Sequence, residues 1–267
     1  VGFVTITVNR SAGSLPSPAM TETTRRVALL NDTRSYVGPY LARALASRGH
    51  DLVIGNPADG LVDELTAMGA AVEAVTGIRD LSDGTSSDRL VAAAMERFGR
   101  IDSAAAATGR IVTGRFTQST PEDLDAVVQG CLKAPYHFLR AVVPVMVEQG
   151  DGQVLLITSA AGARPTPGAP LYSAARAGAT MLAKNVADEV ARNGVQVNVV
   201  GTNFMDFPEF LAATGATDPE VRAKVESMVP LGRLGTMEEF AAFCLAFTDG
   251  SSGFTTGQFV AYAGGWA

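Results

Sequence analysis

From Val27 onward, short apolar runs alternate with amphipathic stretches of helical length, the pattern of a parallel sheet covered by helices on both faces. "RRVALLN" predicts a first strand and "GPYLARALASRG" its helix; "HDLVIGN" predicts a second strand, followed by a helix, "LVDELTAMG", that Gly69 closes. "AAVEAVT" is a third strand, with a helix from about Ser86 to Phe98, and "IDSAAAAT" is a fourth, weak in strand propensity because it is mostly alanine. "TPEDLDAVVQGCLKAPYHFLRAVVPVMVEQG" places Thr120 as an N-cap and Pro121 at the first helical position, then predicts one long helix across the core. "GQVLLITSA" is the fifth strand, "PLYSAARAGATMLAKNVADEVARNG" a long helix ending at Gly194, and "VQVNVVG" the sixth strand. Residues 202–235 predict a loop with at most short helices, such as one starting near Asp218; "TMEEFAAFCLAFTDG" is a helix and "TGQFVAYAGG" the last strand.

The sum is one α/β domain over residues 25–267, a doubly wound, Rossmann-like seven-stranded parallel sheet flanked by helices, with no internal repeat and no linker to a second domain. Residues 1–24, Ser/Pro-rich after a short apolar stretch, are expected to be a disordered leader, with Met20 as a plausible natural start.

Composition narrows the functional classes. The 267 residues are 47% hydrophobic and carry a net charge of −6, so neither nucleic acid nor an anionic membrane is an expected partner. Two cysteines, Cys131 and Cys244, match no zinc or redox spacing and are expected to sit reduced in the core of a cytoplasmic protein. His50 and His137 are the only histidines, which argues against a His-rich metal site or a Ser-His-Asp triad.

Ligands of open α/β sheets bind at the carboxyl ends of the strands. Three segments end there with useful side chains: Ser159 after the fifth strand, Tyr172 and Arg176 on the following helix, and the loop starting at Gly201. Tyr172 and Arg176, four apart, share a helix face, and a permanent positive charge beside a phenol favours its phenolate and makes it a usable base. Alone, such a pair is common on helix surfaces. Behind a strand-end serine, in a stretch of small residues, it is a candidate catalytic set.

At these residues the sequence resembles the short-chain dehydrogenase/reductase family from Arg25 onward; "PLGRLGTMEEFA" and "TGQFVAYAGG" are similar to it too. In that family Ser and Tyr-x-x-x-Lys act on a carbonyl oxygen while a nicotinamide cofactor carries hydride. This chain departs from the pattern. The Gly-rich first turn is "NDTRSYVG", which keeps only Gly38 and has Asp32 and Tyr36 where glycines are expected. The ribose-gripping acid is missing from "IGNPADG", although Asp59 lies just beyond its usual place; Asn-Asn-Ala-Gly is replaced by Ala106, Ala107, Thr108 and Gly109. The family's helix Asn falls at Cys131, and its Pro-Gly at Thr202 and Asn203.

With Arg176 in place of Lys, the sequence also resembles halohydrin dehalogenases, relatives of the reductases that use Ser, Tyr and Arg without nicotinamide; Tyr36 in the altered turn and Trp266 after "AGG" agree. That resemblance implies a carbon–halide lyase that closes vicinal haloalcohols to epoxides and reopens them with halide, azide, cyanide or nitrite. It implies no cofactor and no metal, with Ser159, Tyr172 and Arg176 catalytic. It also implies a halide pocket at Tyr36, Thr202 and the backbone NH groups near Asn203, Phe204 and Met205, and a homotetramer. Phe204 and Phe207 would equally serve by packing the loop on the core. The alternatives left open are an NAD(P)-dependent reductase with an atypical nucleotide loop and a non-catalytic ligand sensor.

Overall fold

The computed structural model describes residues 25–78 and 80–267; the expected leader lies outside the described residues. The strands are β1 (Val27–Leu30), β2 (Asp51–Gly55), β3 (Val72–Val75), β4 (Ser103–Ala107), β5 (Gly152–Ser159), β6 (Val195–Thr202) and β7 (Phe259–Tyr262). They form one sheet in the order β3-β2-β1-β4-β5-β6-β7, parallel throughout. The order reverses between β1 and β4, so the ligand crevice of the fold opens at the carboxyl ends of those strands.

Every residue of β5 is buried, as helices on both faces require. The pleat divides the apolar side chains between two cores: Val154 and Leu156 join one, Leu155 and Ile157 the other. The same alternation makes the alanines of β4 useful despite their poor propensity, since Ala104 and Ala106 face one core and Ala105 the other. Cys131 and Cys244 are buried and unpaired, as expected.

The helices are α1 (Gly38–Ser47), α2 (Leu61–Ala67), α3 (Gly84–Phe98), α4 (Pro121–Val128), α5 (Ala134–Gln149), α6 (Pro170–Val190), α7 (Pro208–Thr214), α8 (Pro219–Ser227) and α9 (Met237–Leu245). The structure corrects the single long helix expected from Thr120. Thr120 and Asp123 do form a reciprocal capping box, but a π-turn at Gln129–Lys133 separates α4 from α5. Pro135, which has no NH to give to an α-helical partner, is the second residue after it. The segment 202–235 holds two short helices, α7 and α8, the second capped by Asp218. No described helix is long and apolar enough to cross a membrane.

Candidate active site

A cavity of about 510 Å³ opens at the carboxyl edge of the sheet, and Ser159, Tyr172 and Arg176 all line it. Strand β5 ends at Ser159, whose register partner across the sheet is Thr202, the last residue of β6. Ser159 Oγ donates to the Thr202 carbonyl at 3.4 Å and accepts from the Ala161 NH at 3.2 Å, so the serine is tied to both strand ends. Pro170 starts α6, and the buried face of that helix begins with Tyr172 and Arg176 and continues through Ala179, Ala183 and Ala187. The alanines let the helix approach the sheet and carry its first turns to the cavity.

Tyr172 is 8% exposed and Arg176 is 4% exposed. The guanidinium carbon lies 5.0 Å from the Tyr172 ring centroid, over the ring. Among the described residues no carboxylate pairs with Arg176, and its Nε and Nη1 have no hydrogen-bond partner. An unneutralised buried cation costs on the order of several kcal/mol and is favoured by negative charge forming beside it.

All five residues expected to form the halide pocket line the cavity: Tyr36, Thr202, Asn203, Phe204 and Met205. Several of their polar groups, however, are already engaged. The Phe204 NH donates to the Asn203 side chain at 2.9 Å, the Asn203 NH approaches the Tyr262 carbonyl at 3.4 Å, and Tyr36 Oη bonds Thr202 Oγ1 at 2.7 Å. The expected set of free backbone donors is corrected to that extent. Asp206 turns away and pairs with Arg222 at 2.6 Å. Phe204 packs against Phe210 and Trp266, and Phe207 packs at a tilt against Tyr36; both line the cavity. Sequence reasoning passed over Ile111 and Phe210, which also form the wall. Ile111 is 71% exposed, and its only signal was a large apolar side chain just past the end of β4.

The residues at the β1–α1 turn do not fit a nicotinamide dinucleotide. Tyr36, at φ +54°, spans from this turn to β6, its ring 4.8 Å from Phe207 and 6.1 Å from Phe240. Loss of water pushes its phenol above the usual tyrosine range, so it remains a neutral hydrogen-bonding group. The Asp32 carboxylate caps the Arg34 NH at 2.9 Å where a pyrophosphate would need NH donors and no negative charge; burial raises its pKa. Gly38, the one family glycine kept, packs its Cα against the backbone of Asp32 and Thr33. Beyond Asp32 and Ala107–Gly109 lies a separate pocket of about 200 Å³ with Asp80 in its wall.

Comparison with known proteins covers nearly the whole chain. The family model described as enoyl-(acyl carrier protein) reductase matches residues 33–267. A 2,5-dichloro-2,5-cyclohexadiene-1,4-diol dehydrogenase of Sphingobium indicum is 29% identical over 91% of this chain and 96% of its own. A 3-oxoacyl-[acyl-carrier-protein] reductase of Synechocystis sp. is 31% identical over 90% and 96%. The crystal structure of levodione reductase superposes with a TM-score of 0.79 at 28% identity, covering 91% of this chain and 97% of that one. These findings overturn the expected halohydrin dehalogenase activity and its assignment as a lyase, because the matched model and these relatives are dehydrogenases and reductases. By its fold, its site and the family model matched from residue 33 to residue 267, the chain belongs to the short-chain dehydrogenase/reductase family.

Proposed function

We propose that this family member is an enzyme acting on the oxygen of a small, largely apolar alcohol or ketone, the chemistry of alcohol–carbonyl oxidoreduction to which its relatives belong. The observation that carries this is the gathering of Ser159, Tyr172 and Arg176 at one cavity on the carboxyl edge. Ser159 and Tyr172 hold the substrate oxygen. Tyr172 gives a proton to that oxygen or takes one from it, according to the direction of reaction. Arg176, buried and without a carboxylate partner among the described residues, balances the negative charge left on the phenol or alkoxide. The β1–α1 turn does not fit a nicotinamide dinucleotide, so the roles of these three side chains are binding, proton transfer and charge balance.

The walls favour a neutral substrate. Ile111, Ile157, Phe204, Met205, Phe207 and Phe210 surround the site, and Asp32 opposes any bound carboxylate or phosphate. The test is conversion of a panel of cyclic and linear alcohols and ketones, with and without NADH or NADPH, followed by chromatography of the products. Tyr172→Phe is expected to lose about 10²–10⁴-fold in turnover while staying folded. Equal turnover by wild type and Tyr172→Phe, or no conversion of any panel member, would overturn the assignment.

A further inference from the structure

Arg176 is kept in place without hydrogen bonds. Among the described residues its guanidinium donates to no protein acceptor, and Nε and Nη1 are sealed from solvent. Such a group stays where packing holds it. One contact is the Tyr172 ring, 5.0 Å away. Another is the backbone of Gly109, at φ +144°: a β-carbon on residue 109 would lie 1.7 Å from Arg176 Nη2. The guanidinium packs against both, and the Gly109 backbone limits where it can lie.

Gly109 belongs to no strand or helix, since β4 ends at Ala107. Three fasteners hold its segment, one of them the Thr108 NH, which donates to the Ile157 carbonyl of β5 at 3.3 Å. On one flank the Asn31 side chain makes paired bonds, each 3.0 Å, to the NH and carbonyl of Ala107. On the other flank Cys131 Sγ accepts from the Arg110 NH and donates to the Arg110 carbonyl, both at 3.5 Å. Gly130 makes that approach possible, because a β-carbon there would lie 2.5 Å from Arg110 Cβ and 2.6 Å from the Arg110 nitrogen. Gly130 and Cys131 both lie in the π-turn. One extra residue in a turn rotates all that follows by about 100°, so the π-turn lets these two residues face the segment while α5 still presents Phe138 and Val142 to the core.

We propose that the π-turn at Gln129–Lys133 is a positioning element for Arg176: through Gly130 and Cys131 it fixes the Gly109–Arg110 backbone, which holds the guanidinium against Tyr172. Cys131 and Gly130 are positioning residues and touch no substrate. The kinetic part of the test rests on the acid–base role proposed for Tyr172; the spectroscopic part does not.

In Cys131→Ala, kcat is expected to fall roughly tenfold with KM within about twofold, because a displacement well below 1 Å of a group acting on the reacting atoms already costs this much. Cys131→Ser, whose hydroxyl both donates and accepts, is expected to recover most of the loss. Independently of turnover, the Arg176 Nε–H resonance, identified by its absence in Arg176→Lys, should exchange slowly with water in wild type and faster in Cys131→Ala. Gly130→Ala should produce the same change and serves where Cys131→Ala does not fold. An Nε–H resonance unchanged in position and exchange in a folded Cys131→Ala variant overturns the proposal, whatever the kinetics. So does a loss of kcat that Cys131→Ser leaves unrepaired.

Discussion

At the scale of single residues, the site depends on contacts as close as a missing β-carbon. Gly109→Ala would place a methyl group where the Arg176 guanidinium lies, at a φ of +144° that side chains rarely adopt. Turnover should drop towards that of an Arg176 variant, and the melting temperature should fall by a few degrees, about 1 kcal/mol of strain; unchanged kinetics would show that the guanidinium has room to retreat. Ser159, Tyr172 and Arg176 were legible because their spacing places them at one sheet edge whatever the rest of the chain does. Gly109 and Gly130 were not, because a glycine's role depends on which backbone passes it, and Arg110 is 20 residues from Gly130 in sequence.

At the scale of elements, the β1–α1 turn and the loop after β6 act as one unit joined by Tyr36. The Tyr36–Thr202 hydrogen bond and the tilted Tyr36–Phe207 contact span 166 and 171 residues of sequence. Wild-type protein is expected to bind NADH or NADPH only weakly, with a Kd of ~1 mM or above, an affinity of at most about −4 kcal/mol. Replacing both Asp32 and Tyr36 with Gly removes the charge and the ring, so this double variant should bind measurably better if folded. Calorimetric titration of both forms checks this, and micromolar binding by wild type would show that the turn opens. The substitutions themselves were visible in "NDTRSYVG". The engagement of the Phe204 NH by Asn203 was not, since it depends on a backbone φ of +55° at Phe204 that no pattern of residue types announces.

At the scale of the whole molecule, the edge of the sheet opposite the active site holds a buried histidine. His50, just before β2, makes no well-formed hydrogen bond on either ring nitrogen, and loss of water, followed by the charge of Arg26, lowers its pKa below the usual histidine value; the nearby Leu45 carbonyl, then Asp249 and Asp102, act the other way. The unfolded chain takes up this proton near pH 6.5 while the folded chain resists it, so stability is complete above about pH 6.5 and declines as the pH falls below it. Melting temperatures from pH 8 to pH 5 should show the decline in wild type and a shallower one in His50→Gln. Parallel curves would place the acid sensitivity elsewhere.

What the sequence determined by itself was whatever repeats locally: the alternation of apolar strands with amphipathic helices, the capping of α4 by Thr120, and the presence of Ser159, Tyr172 and Arg176 at strand and helix ends. These follow from side-chain periodicity and backbone sterics over a few residues. The structure alone decided how distant segments share space: that Tyr36 reaches Thr202, that Asp206 turns to Arg222, that the helix after Thr120 breaks into a π-turn, and that Arg176 is held by Gly109. Each is a contact between parts of the chain brought together only by the packed sheet, where close packing leaves one arrangement and local sequence offers several.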